Sequence, residues 1–165
     1  MAGPIYGTET TVTTTSLDSL ANSATAGWGS GYIDNTTNKF IDVYVNFLIT
    51  IANTVPANNK CISIFAFGGN NITDLGTTGA TTGGAAGTVG ALTFPDISTL
   101  PNNLKLVGSI QYPANFASNT QEAIFSIAQA FGGVLPSYWG IALVNYSGAA
   151  LSTGNVIKYQ GYTLG

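Results

Sequence analysis

The chain has 165 residues, enough for one domain with its own core, and is 45% hydrophobic but only 7% charged. Four lysines, no arginine, no histidine and a net charge of −3 exclude an electrostatic grip on nucleic acid or an anionic membrane, a bidentate phosphate clamp and any histidine-based triad. Ordinary globular domains carry about 25% charged residues; here Thr, Asn, Ser and Gly supply a neutral, hydrogen-bonding exterior and favour strands and turns.

In chain order, Met1-Ala2-Gly3-Pro4 carries neither the basic nor the apolar region of a secretion signal, which predicts synthesis in the cytoplasm. Residues 1–15 read as an extended N-terminal arm, either an edge strand or a segment that pairs with a neighbouring subunit. Residues 16–38 are short and punctuated by glycine, with Trp28 and Tyr32 placed to cover one end of the core. Asp34-Asn35-Thr36-Thr37-Asn38 reads as an Asx-turn and is the one local cluster with calcium-type oxygen ligands.

That turn launches the dominant strand, Lys39 to Asn53. Every odd position from Ile41 to Ile51 is aliphatic or aromatic, which predicts one buried face and one mixed face. Six such side chains contribute about 9–18 kcal/mol gross when buried, an upper figure because the unfolded chain already hides some surface. Asp42, the one charge on this strand, is expected to face solvent or a lysine across the sheet. After a turn at Val55–Asn59, Cys61 to Phe67 reads as the antiparallel hairpin neighbour of this strand, with Cys61 a buried small hydrophobe. As the single cysteine, it excludes an internal disulfide and a thiolate metal cluster.

Residues 68–91 read as a long, Gly/Thr-rich flexible loop with almost no charge that contacts solvent or a neighbour. Leu92 to Leu100 bridges to a short strand, Leu104 to Ile110, with Leu104, Leu106 and Ile110 on one face and Gly108 as a gap. Tyr112-Pro113-Ala114-Asn115 is a turn. Gln121 to Ala130 fits both a helical face and a strand; a strand to about Ala128 followed by a helical turn through Gly132-Gly133 is the expectation. Leu135 to Trp139 is a corner, Gly140 to Tyr146 a strand, Asn145 to Gly148 a turn. Val156 to Leu164 is a final strand closing against the first. No apolar run reaches the roughly 20 residues that span a bilayer. Three Asn-x-Ser/Thr triplets, at Asn35, Asn71 and Asn145, read as chance in an Asn/Thr-rich chain. Strands every 10–20 residues between Gly, Pro and Asn turns predict a single all-β domain over 1–165: an antiparallel, jelly-roll-like β-sandwich of about eight strands.

No catalytic constellation emerges. The acids Glu9, Asp18, Asp34, Asp42, Asp74, Asp96 and Glu122 show no paired spacing, and Gly83–Gly90 lacks a phosphate-loop lysine. The expectation is no enzyme, no cofactor and no metal. Aromatic side chains remain, most of them read as the rim of the core. Tyr with Asn and Ser also suits protein contact and sugar stacking. The candidate interaction residues are Pro4, Ile5, Tyr6, Trp28, Tyr32, Tyr159 and Tyr162.

Pro4-Ile5-Tyr6-Gly7-Thr8-Glu9-Thr10, Asp34-Asn35-Thr36-Thr37, Asn103 to Gly108 and above all Phe131-Gly132-Gly133-Val134-Leu135-Pro136-Ser137-Tyr138-Trp139-Gly140-Ile141, with Asn145 to Gly148 and Lys158 to Gly161, resemble small virion proteins of tailed bacteriophages. The resemblance spans nearly the whole chain outside 68–91. It is to jelly-roll cement or decoration proteins, which implies a homotrimer on the outer surface of a capsid, bound to the major capsid protein and to no nucleic acid or membrane. It carries over no catalytic residue. The Gly/Thr insertion departs from the family pattern. A receptor- or glycan-binding module of a tail fibre or baseplate is the alternative expectation.

Overall fold

The structure, a computed structural model, describes residues 3–23, 25–52, 61–71, 89–93, 104–113 and 117–165. Eleven strands appear among them: β1 Pro4–Tyr6, β2 Thr10–Thr11, β3 Ala26–Ser30, β4 Ile33–Asp34, β5 Asp42–Thr50, β6 Cys61–Gly69, β7 Val89–Thr93, β8 Lys105–Gln111, β9 Thr120–Ser126, β10 Tyr138–Asn145 and β11 Val156–Leu164. One sheet runs β1-β11-β5-β9, with β2 also on β11. The other runs β7-β3-β10-β6-β8, with β4 also on β10. All pairings are antiparallel.

The order is that of a jelly roll. Taking β1 and β2 as one interrupted edge strand, and setting aside the short β4 and the added edge β7, the chain lays four strands in each sheet and repeatedly crosses between them. The extra strands account for the difference from the expected eight.

The interior follows the alternation for five of the six expected residues: Val43, Val45, Phe47, Ile49 and the following Ile51 are fully buried, while Ile41, ahead of β5, is half-buried. They face Ile62, Ile64 and Ala66 of β6 and Trp139, Ile141 and Leu143 of β10 in one cluster. The expected hairpin between β5 and β6 is therefore wrong. β5 pairs with β11 and β9, while β6 lies in the opposite sheet between β10 and β8. Both strands direct their aliphatic rows inward, so they meet face to face across the core rather than edge to edge. The turn expected at Val55–Asn59 lies outside the described residues.

β6 and β10 are buried on both faces. Phe65 and Phe67 join Leu92, Leu104, Ala142 and Val144 in a second cluster on the outer face of their sheet, with Tyr138 and Tyr146 packed against it. Phe67 lies over Gly140, where a Cβ would collide with its ring and with the carbonyl of Gly31. In β8 the register slips opposite Ile64 and Phe65, leaving Val107 as a bulge. This separates the row expected on one face: Ile110 stays in the main core, Leu104 joins the outer cluster and Leu106 is exposed. Gly108 is indeed a gap, filled by the Phe125 ring from the facing sheet.

Three further expectations need correction. The 68–91 segment is not loop at its ends: Gly68 and Gly69 finish β6, with Gly68 under Pro136 and Phe131, and Val89–Thr93 pairs along all of β3. Residues 72–88 lie outside the described set. Cys61 is half-buried rather than buried, because it opens β6 at the margin of the core. Asp42 neither faces solvent nor meets a lysine. It is buried at the head of β5 and accepts hydrogen bonds from Ser126 Oγ (2.6 Å), Val43 N (2.7 Å) and Ala128 N (2.8 Å). It thereby ties β5 to the point where β9 becomes a 3₁₀ turn, Ala128–Phe131, ended by Gly132 at φ 78°.

Side-chain amides do similar work elsewhere. Asn35 brackets its turn through Phe40 N and O, and Asn145 donates to Leu20 O and Ala149 O. Tyr112 is buried and donates to Ile49 O at 2.9 Å; burial pushes its phenol well up, so it stays a donor. Partial burial disfavours the Asp18 charge, but hydrogen bonds from Gly154 N and from Asn155 Nδ2 and N outweigh it and hold the carboxyl below its ordinary 3.8.

Three outcomes follow from these contacts. Asp42→Ala strands two buried amide donors and lowers stability by roughly 2–4 kcal/mol in urea unfolding. Gly140→Ala costs about 1–3 kcal/mol or more through overpacking against Phe67 and Gly31, read as a lowered Tm. Because the folded pKa of Asp18 is lowered, its contribution is present above 3.8 and is lost as pH falls through its folded value. The Tm gap between the native chain and Asp18→Asn is therefore expected to shrink as melting is followed from pH 6 down to about 2.5.

Candidate interaction face

The two sheets differ on their outer sides. The outer face of the β3-β10-β6-β8 sheet carries a buried apolar cluster. The outer face of the β1-β11-β5-β9 sheet is open, and bulky side chains stand on it. Alternation along β5 turns Tyr44, Asn46 and Leu48 outward, and their partners in register are Gln160, Lys158 and Val156 on β11 and Ser126, Ile124 and Glu122 on β9.

At one corner of this face β1 lies on the end of β11. Tyr6 stands opposite Tyr162, and Pro4 opposite Leu164. The Tyr6 and Tyr162 ring centroids are 6.1 Å apart. Tyr44 stacks on the other side of Tyr162 at 6.1 Å and 23°. Each aromatic pair contributes about 0.5–1.5 kcal/mol beyond buried area. Partial burial, the Asp42 charge and the two neighbouring phenols all push the Tyr162 phenol up. Every residue of β1 is exposed: Ile5 and Tyr6 are each 58% accessible, and Leu164 beside them 65%. Ile5 points to the opposite side of the strand from Tyr6, so this edge is apolar on both faces. It is held by Gly7 N donating to Gly161 O (2.8 Å) and Gln160 Nε2 donating to Gly7 O (2.9 Å). Phe40 packs over Gly7 and Gly161, neither of which leaves room for a Cβ.

Further along the same face, Glu9, just before β2, and strands β11, β5 and β9 enclose a groove of about 240 Å³ lined by Glu9, Asn46, Leu48, Glu122, Val156 and Lys158. A smaller hollow of about 140 Å³ adjoins it beside Tyr44 and Ile124. Lys158 Nζ meets Glu9 Oε1 at 2.7 Å, and Asn46 Nδ2 donates to Glu122 Oε1 at 2.9 Å.

Four of the seven sequence-derived candidates, Pro4, Ile5, Tyr6 and Tyr162, thus come together at the β1 corner. The others do not. Trp28 is a correction: it is fully buried at the centre of β3, opposite Leu143, and its Nε1 donates to Thr15 O at 2.8 Å, so it presents no surface. Tyr159 turns inward, half-buried, its ring edge-on to Trp139 at 5.3 Å. Tyr32 is exposed but sits by the other sheet, edge-on to Tyr138 at 5.9 Å. Tyr44, Asn46, Leu48, Ile124 and Glu122 were missed. For Tyr44, Asn46 and Leu48 the signal was present in the even positions of the β5 alternation; Ile124 and Glu122 join them only through the pairing of β9 with β5.

Asp34 behaves as an Asx-turn, its Oδ1 accepting from Thr36 N (2.7 Å) and Thr36 Oγ1 (2.6 Å); these bonds hold its carboxyl below the ordinary range. Among the described residues no three His, Cys, Asp or Glu side chains stand together to hold a metal, and no helix is long and apolar enough to cross a membrane. What the face offers chemically is contact: stacked phenols, aliphatic side chains and a few amide and carboxylate groups. If Tyr162 is the middle of the row, Tyr162→Ala should lower stability by about 1–3 kcal/mol in urea unfolding while Tyr32→Ala changes it by less than about 1. Compared with known protein families and with curated protein sequences, the chain matches none.

Proposed function

We propose that this chain is a structural subunit of a bacteriophage virion, a cement or decoration protein seated as a homotrimer on the outer surface of the head. It is made in the host cytoplasm and acts by binding the major capsid protein and its own copies, with no catalytic step and no cofactor. The observation that carries this reading is the β1 corner, where a short edge strand exposes apolar side chains on both of its faces beside Leu164 and the Tyr6–Tyr162–Tyr44 row. An exposed apolar edge invites pairing unless a neighbour covers it. A subunit that works in many copies on a particle supplies that cover. The jelly-roll connectivity supports the reading at the level of fold, since capsid domains are among those that use it. The near absence of charge supports it too: contacts that do not depend on ion pairs are insensitive to salt.

Mass spectrometry of purified particles should find the chain. In co-sedimentation with heads that lack it, the native protein should bind, and Ile5→Lys/Tyr6→Lys should bind at least tenfold more weakly with its Tm nearly unchanged, because both side chains are already solvent-exposed. Absence of the chain from particles, or undiminished binding by the double variant, would falsify the proposal.

A further inference from the structure

The sheet that carries the β1 corner ends on its other side at β9, which pairs only with β5. Two hydrogen bonds at the ends of β9, Ile51 N to Asn119 O (3.1 Å) and Ile127 N to Val43 O (3.0 Å), fix which of its backbone groups the ladder uses. The pairs Val45–Phe125, Phe47–Ala123 and Ile49–Gln121 share that parity, so residues 121, 123 and 125 bond to β5. The N–H and C=O groups of Thr120, Glu122, Ile124 and Ser126 therefore point away from the sheet. None of them has a backbone partner among the described residues. The side chains of Thr120, Glu122 and Ile124 are exposed, that of Ile124 to 60%.

The other edges carry features that keep a strand from pairing with a neighbour. β1 has three residues, and the bond from Gly7 N to Gly161 O sets a parity that turns the Pro4 position outward, where proline has no N–H to offer. β8 begins at the exposed Lys105 and is bent by the Val107 bulge. β7 has five residues and is irregular at Gly90, φ 146°. β9 has seven residues with no proline, lysine or bulge. An edge of this kind is a template for another strand.

The sequence of β9 suits its own copy. Antiparallel pairing of two β9 strands about a two-fold axis at Ala123 sets Thr120 opposite Ser126 and Glu122 opposite Ile124. All four outward residues of each strand are then used, in about eight ladder hydrogen bonds. Two alanines meet at the axis, small enough for close approach. Each Glu122 lies opposite an isoleucine, with its carboxylate already engaged by Asn46 Nδ2. Moving the axis to Glu122 opposes two carboxylates, which is destabilising. Moving it to Ile124 leaves Thr120 unpaired. A two-fold contact also closes after two copies, so it covers both open edges without growing into a fibre.

We propose that β9 is a self-association edge, through which two copies of this chain join by antiparallel β9 strands centred on Ala123 into one continuous sheet. The contact goes beyond the capsid reading and uses none of the β1 corner. A subunit seated by β1 keeps β9 free for a second copy.

Sedimentation velocity on the full chain tests it, in the Ile5→Lys/Tyr6→Lys background that removes association at the β1 corner. That variant is expected to be a dimer at tens of micromolar. Adding Ile124→Pro deletes one outward N–H and no bond to β5, and should weaken dimerisation at least about tenfold with far-ultraviolet dichroism close to native. Adding Ile124→Glu instead leaves the backbone alone and sets a carboxylate opposite Glu122 of the second copy, with the same expected loss. In a Cys61→Ser chain, Ala123→Cys places two Cα atoms about 4.5 Å apart at the axis, within disulfide reach, so mild oxidation should give a covalent dimer. A monomer at hundreds of micromolar, a dimer that both Ile124 variants leave intact, or no cross-link at Ala123 overturns the contact. Co-sedimentation with heads reads the β1 corner independently, so loss of one result leaves the other standing.

Discussion

Everything in this molecule depends on one apolar interior filled from two opposed sheets without help from charge. The inward row of β5, from Val43 to Ile51, meets Ile62, Ile64 and Ala66 of β6 and Trp139, Ile141 and Leu143 of β10, and all of these are fully buried. Trp28 closes the same space from β3. Large rings are accommodated by missing side chains: Phe125 over Gly108 across the core, Phe67 over Gly140 on the outer face of their own sheet, and Phe40 over Gly7 and Gly161. Packing is close, so these glycines are fixed by the rings that lie over them.

A fold with few charges has to satisfy its turns and crossovers by other means. Asn35, Asn145, Asn155, Asp18 and Asp42 each tie backbone groups from separate parts of the chain. Short polar side chains do this well because they imitate a backbone amide or carbonyl at little entropic cost. The exterior is thereby left largely neutral. That neutrality shapes the candidate face, where phenols and aliphatic groups dominate and Lys158–Glu9 is a single exposed ion pair among the described residues.

The class of fold was legible in the alternation of β5, in the turn residues between strands and in the predicted positions of β8 to β11. The pairing was not. Adjacent apolar strands read naturally as a hairpin, and the periodicity of β5 and β6 does not say which lies beside the other. The clue to burial on both faces was the unbroken apolar run Ile64–Phe67 and its counterpart Trp139–Val144, which lack the polar alternates of a half-exposed strand. Leu106 misled because one bulged residue, Val107, reverses the face of what precedes it. Trp28 misled because its flanking glycines resemble a surface turn; in the fold they lie on the outer side of β3, where Leu92 packs over Gly29, while Trp28 points to the centre. The candidate face was half legible. Pro4, Ile5, Tyr6 and Tyr162 were drawn from the sequence, but their convergence with Tyr44 depends on β1 folding back onto β11, the two ends of the chain. Likewise, Asn46 gains meaning only when β9 brings Glu122 beside it.

The proposed virion role rests on the β1 corner being the surface that neighbours cover, while the outer face of the other sheet is already occupied by the protein's own apolar cluster. Hydrogen–deuterium exchange, compared between the free protein and the protein assembled on phage heads, tests that most directly. The account predicts new protection concentrated in residues 4–11 and 156–164, with β6 and β10 equally slow in both states. Protection confined to β7 and β8 at the far sheet, or exchange at 4–11 that is unchanged on assembly, would contradict it.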